Sequence, residues 1–449
     1  MKHRVVLVVV GLTGVLALVA SLSVAAAGTR ATQRPAASKA IAPPPVANAK
    51  KIKAKYHGQK ITFVGDNAVG DSHKRDLALA KRFQRDTGIK VSVVPHPKES
   101  DASYQQLARN FSAKSSAFDA VMIDVVWPGA FASYLVDLKK TLRKEAKRHA
   151  KGIIKNDTVN GHLVAMPWFG DFGILYYRTD LLKKYHFSHP PTTWKELGSQ
   201  ARTIQAGERG GNKNFYGFVY QGNSYEGLTC DALEWVASSG GGHFIDGKKA
   251  SINNAKAAGI LNLFRGWVGV ITPRGVTSYG EEEARNAFDA GNAAFMRNWP
   301  YAYSASLKTP VKGKFDVTVL PHGAGGKSVG TVGGWQVAVS KFSKHKGAAI
   351  EWVRYITSPK VEKYDAIFNS NVPTIPAVAL DKAVRRTNPY LKPAIAKVER
   401  VTRPAAYFGT RYSQASQAIY QAINQIENGT DAKSVLPGLA NRLNRMIKK

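Results

Sequence analysis

Short apolar runs alternate with helix-spaced ones from about residue 60 onward, and the switch between the two periods marks the elements. Lys60-Ile61-Thr62-Phe63-Val64 predicts a strand, residues 73–86 a helix, and Lys90-Val91-Ser92-Val93-Val94 a second strand. A helical stretch at 102–113 leads into Phe118-Asp119-Ala120-Val121-Met122-Ile123, a buried strand that stops at the polar Asp124. Strand, helix, strand, helix, strand implies a parallel sheet covered by helices. Further on, Met166 to Tyr177 combines proline, glycine and aromatic residues as a crossing between lobes followed by a strand. Thr193 is placed to cap an amphipathic helix running to about residue 205, and Gly240-Gly241-Gly242 marks a turn. A helix at 278–290 ends at Gly291, and Ala293-Ala294-Phe295-Met296 predicts a strand entering the corner Arg297-Asn298-Trp299-Pro300-Tyr301, where Pro300 stops regular structure. Residues 314–340 are strand-rich and the last hundred mainly helical, with no repeat unit.

In parallel sheets, ligand groups gather beyond the carboxyl ends of the strands. That rule selects Asp66, Asn67, Asp71, Asp124 and Trp127 over the many lysines of the helices. Asp71 fits equally the N-cap of the helix that follows it, and Trp127 a core position.

Composition narrows the class. The chain has 449 residues, 44% of them hydrophobic, enough to fill more than one core. Residues 1–27 resemble an export signal: Lys2 and Arg4, an apolar run from Val5 to Ala20, then Ala25-Ala26-Ala27. A retained membrane anchor is the alternative, and no lipid-attachment cysteine follows the run. Residues 28–59, with Pro43-Pro44-Pro45, are expected to form a flexible linker. The single cysteine, Cys230, excludes an internal disulfide and cysteine-rich metal sites. Lys plus Arg outnumber Asp plus Glu 64 to 31, for a net charge of +33. The basic stretch Lys139-Lys140, Arg143-Lys144, Lys147-Arg148 keeps contact with an anionic cell surface open, whereas a nucleic-acid function would need a coherent groove or stacking platform.

The chemistry on offer is recognition. Trp127, Trp168, Trp299, Tyr301 and Trp335 lie beside turns and short polar side chains. An aromatic face covers the C–H patch of a sugar while Asp, Asn, Gln or Arg satisfies its hydroxyl rim. No metal-ligand spacing occurs, and Gly323-Ala324-Gly325-Gly326-Lys327 lacks the spacing of a phosphate-binding loop, so no cofactor or metal is expected. Asp124, Asp171 and Glu226 leave a carbohydrate hydrolase as a rival reading.

Four ordered motifs carry a family resemblance: Phe118–Asp124 with Trp127-Pro128-Gly129; Pro167 to Tyr177; Ala294 to Tyr301; and Gly333-Gly334-Trp335. Together they resemble extracellular solute-binding proteins of carbohydrate ABC importers, the maltose and trehalose branch in particular. The resemblance implies an α/β, two-lobe periplasmic-binding-protein type II fold with a hinged cleft. It implies a monomeric, non-catalytic receptor that passes a disaccharide or short oligosaccharide to a membrane permease. The expected lobes are 60–167 plus 302–355 and 168–301 plus 356–449, with approximate hinges. Asp171 is expected at a sugar-contacting carboxylate position, Asn298, Trp299 and Tyr301 at a strand-end motif, Gly334 and Trp335 along the cleft, and Arg403 at a polar contact. A polyol or glycerol phosphate is the alternative ligand.

Overall fold

The computed structural model describes residues 41–66 and 70–447. The expected signal at 1–27, the linker residues 28–40 and Asn67 lie outside the described residues. The remainder of the expected linker is ordered: Ala49–Tyr56 forms helix α1, Ile52 is buried, and the Val46 amide donates to Asp86 Oδ2 at 2.9 Å. Val46 and Ile52 supply the apolar pair that docks this lead-in on the first lobe, so proline content alone gave the wrong expectation there.

The first lobe grows from the predicted unit. Strand β1 (Lys60–Gly65) is followed by α2 (Ser72–Thr87), β2 (Lys90–Pro95), α3 (Ser100–Ser112) and β3 (Ala120–Asp124). Helix α2 stops at Gly88, whose φ of +75° is easily reached only without a Cβ. The chain then reaches β4 (Met166–Phe172) and crosses to β5 (Ile174–Arg178), α4 (Trp194–Glu208), β6 (Tyr216–Val219), α5 (Glu226–Ser238), α6 (Glu281–Asp289) and β7 (Ala293–Asn298). Thr193 caps α4 as its sequence suggests, accepting from the Glu196 amide at 3.1 Å. Next come β8 (Phe315–Thr318), β9 (Val329–Val339), α7 (Lys346–Ile356), α8 (Pro359–Asn369), β10 (Glu399–Val401), α9 (Tyr412–Glu427) and α10 (Ala432–Met446).

Two sheets result. The first runs β10-β9-β3-β1-β2 with β4 paired to β9, and the second β8-β5-β7-β6. Strands β1, β2 and β3 are parallel, whereas β9 enters antiparallel to β3 and β4. Phe63, Phe83, Trp168 and Trp352 fill the first core; Tyr176, Phe288 and Phe315 belong to the core under the second sheet. This is the two-domain α/β periplasmic-binding-protein fold. Several stretches differ from the expected lobes; β10, expected in the second, pairs with β9 in the first sheet. Strand β8 pairs with β5 in the second sheet, because Phe315 and Val317 point into its core, so residues 302–318 do not belong to the first lobe. Helix α8, in turn, is tied to the first lobe by Asp365, which accepts from Arg75 at 3.0 Å.

Candidate functional site

The strand ends of the first sheet converge. Asp66 follows β1, His96 follows β2 and Asp124 closes β3, so three polar side chains reach one edge. Opposite them stand Tyr225 and Glu226 at the start of α5, Glu281 at the start of α6, and Trp299 and Tyr301 beyond β7. Together they enclose a cavity of about 90 Å³ between the lobes.

The Gly333-Gly334-Trp335 motif forms one wall for steric reasons. Gly334 has φ of +119°, and a Cβ there would stand 2.6 Å from the Phe169 carbonyl oxygen. A Cβ on Gly333 would come within 3.1 Å of the Trp299 ring and 3.2 Å of Asp171. The bare backbone thus lets Trp299 and Asp171 close over β9. Trp335 pairs opposite Asp124 and stacks on His96, with centroids 5.2 Å apart. Trp127 meets Trp335 edge-on at 5.7 Å. It therefore supports the wall from behind instead of lining the cavity.

Both guanidiniums at the site are paired with carboxylates, although Arg403 Nε is buried without a hydrogen-bond partner. Arg403 donates to Asp124 Oδ1 and to Glu226 Oε1, both at 2.7 Å, and so links the first sheet to α5. Tyr412 donates to the same Glu226 carboxylate. Arg297, fully buried, is held by Asp231 at 3.0 Å and by both oxygens of Glu234, and its guanidinium lies 3.9 Å from the Trp299 ring centroid. Lys98 pairs with Glu283 at 2.5 Å across the cleft. Burial raises the Glu226 and Glu281 carboxyls, the first being partly offset by Arg403. Asp101, whose carboxylate accepts from the Glu226 amide at 3.0 Å, is pushed up to about 7 by burial and by the neighbouring Glu226 charge.

Asp171 is different. It lies opposite Gly333 on β4, and its Oδ1 is buried without a hydrogen-bond partner. Burial holds its carboxyl well above the usual range, and the negative charges of Asp66 and Asp365 add to this. An acceptor left unsatisfied at the base of a cavity is costly unless a ligand supplies the donor.

Of the residues selected from sequence, Asp124, Asp171, Trp299, Tyr301, Gly334, Trp335 and Arg403 line this cavity. Four selections need correction. Trp168 is 1% exposed and packs edge-on against Phe63 in the first core, with Arg75 4.2 Å from its ring centroid. The ladder is irregular there, Phe169 facing Trp335 but Pro167 facing Gln336, and Trp168 is the residue turned inward. Asn298 is fully buried and structural: it accepts from the Trp299 amide at 2.8 Å and donates to the Glu281 carbonyl at 3.1 Å, fixing the corner that presents Trp299. Asp71 pairs instead with Lys74 at 2.8 Å and with Lys308, outside the cavity, and its side chain makes no capping bond to α2. Trp127 is the fourth, as above. Sequence reasoning missed Phe169, His96, Lys98, Tyr225, Glu281 and Asn371. The strand-end rule that found Asp124 also points to His96; Tyr225 and Glu281 start helices of the other lobe and carry no such signal. Asp124 and Glu226, two carboxylates of the hydrolase reading, are both bound to Arg403 and not poised as an acid/base pair.

Comparison with known proteins agrees with this architecture. Residues 70–363 match the family model described as bacterial extracellular solute-binding protein. A probable ABC transporter-binding protein of Deinococcus radiodurans is 46% identical over 375 residues, 82% of this chain and 89% of the relative. The maltose-bound MalE3 of T. maritima is 33% identical, with a TM-score of 0.81 over 87% of this chain and all of that one. A ribitol complex of a solute-binding protein from Agrobacterium radiobacter shares the fold at 22% identity, with a TM-score of 0.75 over 87% of this chain and all of that one. The chain belongs to the bacterial extracellular solute-binding proteins.

Proposed function

We propose that the cleft captures a neutral disaccharide or short oligosaccharide of the maltose or trehalose kind and hands it intact to a membrane permease. One observation carries the choice of a neutral ligand: the buried Asp171 Oδ1 lacks a donor, while Lys98, Arg403 and the underlying Arg297 are already bound to carboxylates. A hydroxyl supplies what Asp171 lacks. A phosphate or carboxylate would meet several buried acids and no uncommitted cation among the described lining residues, which weighs against glycerol phosphate. Trp299 and Trp335 offer flat faces for the C–H patches of a pyranose ring. The maltose seen in the T. maritima relative supports the same class.

The fold is characteristically non-catalytic, and its physical work is a change of population. Lys98–Glu283, Asp71–Lys308 and the Asp101–Glu226 contact join the lobes, so a ligand that touches both walls favours the closed arrangement by its differential affinity. A polyol is the second reading, favoured by the small cavity of about 90 Å³ between the lobes.

Titration calorimetry of the chain beginning at Ile41 tests both readings. Trehalose, maltose, ribitol and glycerol phosphate are compared, and the recovered ligand is checked for integrity. One-to-one binding of an intact disaccharide is expected, weakened by about tenfold in Asp171→Asn, the scale of one lost hydrogen bond. Preference for ribitol would select the polyol, and tight glycerol phosphate binding would overturn the neutral-ligand argument.

A further inference from the structure

A second concave surface lies on the first lobe, away from the cleft. The short helices Arg143–Ala146 and Lys151–Asn156 and the strand His162–Leu163 frame a groove of about 520 Å³. Its floor is apolar, made by Ala146, Ile154 and Leu163. Its rim is Lys139, Arg143, Lys147, Lys151 and Lys155, all exposed and recurring every four residues. No carboxylate lines the groove. The neighbouring acids are occupied elsewhere, Glu145 by Arg354 and Asp137 by His162. Lys139 donates to the Gly161 carbonyl at 3.0 Å, and among the described residues none of the five forms an ion pair.

A third feature lies in the wall. His149 lines the groove and is 4% exposed. Thr374 Oγ1 gives its single proton to Glu362, so in the 2.7 Å contact between His149 Nδ1 and Thr374 Oγ1 the ring nitrogen is the donor. The other nitrogen, Nε2, is buried with no hydrogen-bond partner. His149 Nδ1 also stands 3.4 Å from Glu362 Oε1, so the ring is held from behind by Thr374 and Glu362.

We propose that this groove binds an anionic membrane glycerophospholipid, its aliphatic chain on the apolar floor and its phosphate headgroup among the rim cations. Charge decides the occupant. A second copy of a chain carrying +33 is repelled by the rim. A bilayer surface rich in anionic lipid supplies phosphate and hydrocarbon together, and juxtaposed basic side chains gain from its negative potential. The site would hold the first lobe at the membrane while leaving the interlobe cleft open to solute.

The experiment must separate a built site from diffuse attraction. The probe is dihexanoylphosphatidylglycerol below its micellar concentration, titrated into the chain beginning at Ile41, which retains the whole described unit. One-to-one saturable binding is expected. Lys147→Glu with Lys151→Glu should weaken it by about tenfold or more. Ile154→Ser should weaken it several-fold with no change of charge. Lys248→Glu with Lys249→Glu, exposed on a hairpin of the second lobe, should change it by less than about twofold. The substituted lysines are exposed, so folding is retained and checked by thermal melting. Equal losses from the two lysine pairs, or glycerol phosphate binding as tightly as the lipid, or displacement of the lipid by an acidic peptide, would each overturn the proposal.

Discussion

Two concave surfaces of this protein both carry cations, and they use them in opposite ways. In the interlobe cleft, Arg403 bridges Asp124 and Glu226, and Arg297 is enclosed by Asp231 and Glu234, all of them buried. Their charge is spent inside the protein, holding the walls, and an acceptor on Asp171 is left over. In the groove of the first lobe the cations stand in solvent around an apolar floor with no carboxylate among them. Burial accounts for the difference. A desolvated guanidinium is tolerable only when paired, whereas an exposed lysine remains hydrated and keeps its charge for a partner. A positive residue near a pocket therefore says little about ligand charge until its pairing is known.

The sharpest way to break the comparison is to remove a committed cation. Arg403→Met leaves Asp124 and Glu226 buried without their counter-charge, and is expected to cost about 3–5 kcal/mol of stability in denaturant unfolding. A loss below about 1 kcal/mol, typical of exposed pairs, would mean that the cleft cations are not structural. Next come the aromatic faces. Trp299→Ala and Trp335→Ala should each lower sugar affinity by roughly 1.5–3 kcal/mol in calorimetry, the burial value of a large side chain. Trp168→Ala should damage stability instead, because that ring lies in the first core.

A pH titration sharpens the electrostatic side. Asp101 sits at about 7 in the folded protein, above its unfolded value, so its contribution to stability is present at low pH and is lost as pH rises through about 7. Thermal stability of the ligand-free chain should therefore fall between about pH 4 and pH 7 and level off above that, by at most about 1.4 kcal/mol per pH unit for this one group. Asp101→Asn should flatten the profile, and an unchanged slope would assign it to other carboxylates. The smallest effect is expected at Asp71, in its pairs with Lys74 and Lys308. Asp71→Ala should change stability by less than about 1 kcal/mol and leave affinity within about fivefold.

Much of this was legible in the chain. The β1–β3 unit followed from its alternating periods, and Asp124 from the rule that parallel strands present polar residues at their carboxyl ends. Gly333-Gly334-Trp335 stood out as a motif, and the structure supplies its reason, the close approach of Phe169, Asp171 and Trp299 to bare backbone. Trp168 misled because its irregular place in the ladder, which turns it into the core, depends on how β4 meets a strand about 170 residues later. Asn298 misled because a polar residue in a corner can hold the corner together as readily as it can meet a ligand.

By itself the sequence determined the local periods, the order of strands and helices, the family motifs and the excess of positive charge, since these depend on residues close together in the chain. Only the tertiary structure decided which cations are neutralised, which tryptophans face the cleft and where β8 and α8 belong. Those outcomes rest on contacts such as Asp124 with Arg403, 279 residues apart, and Arg75 with Asp365, 290 apart. A buried charge selects its partner by desolvation and geometry, and neither is written in the spacing of neighbouring residues.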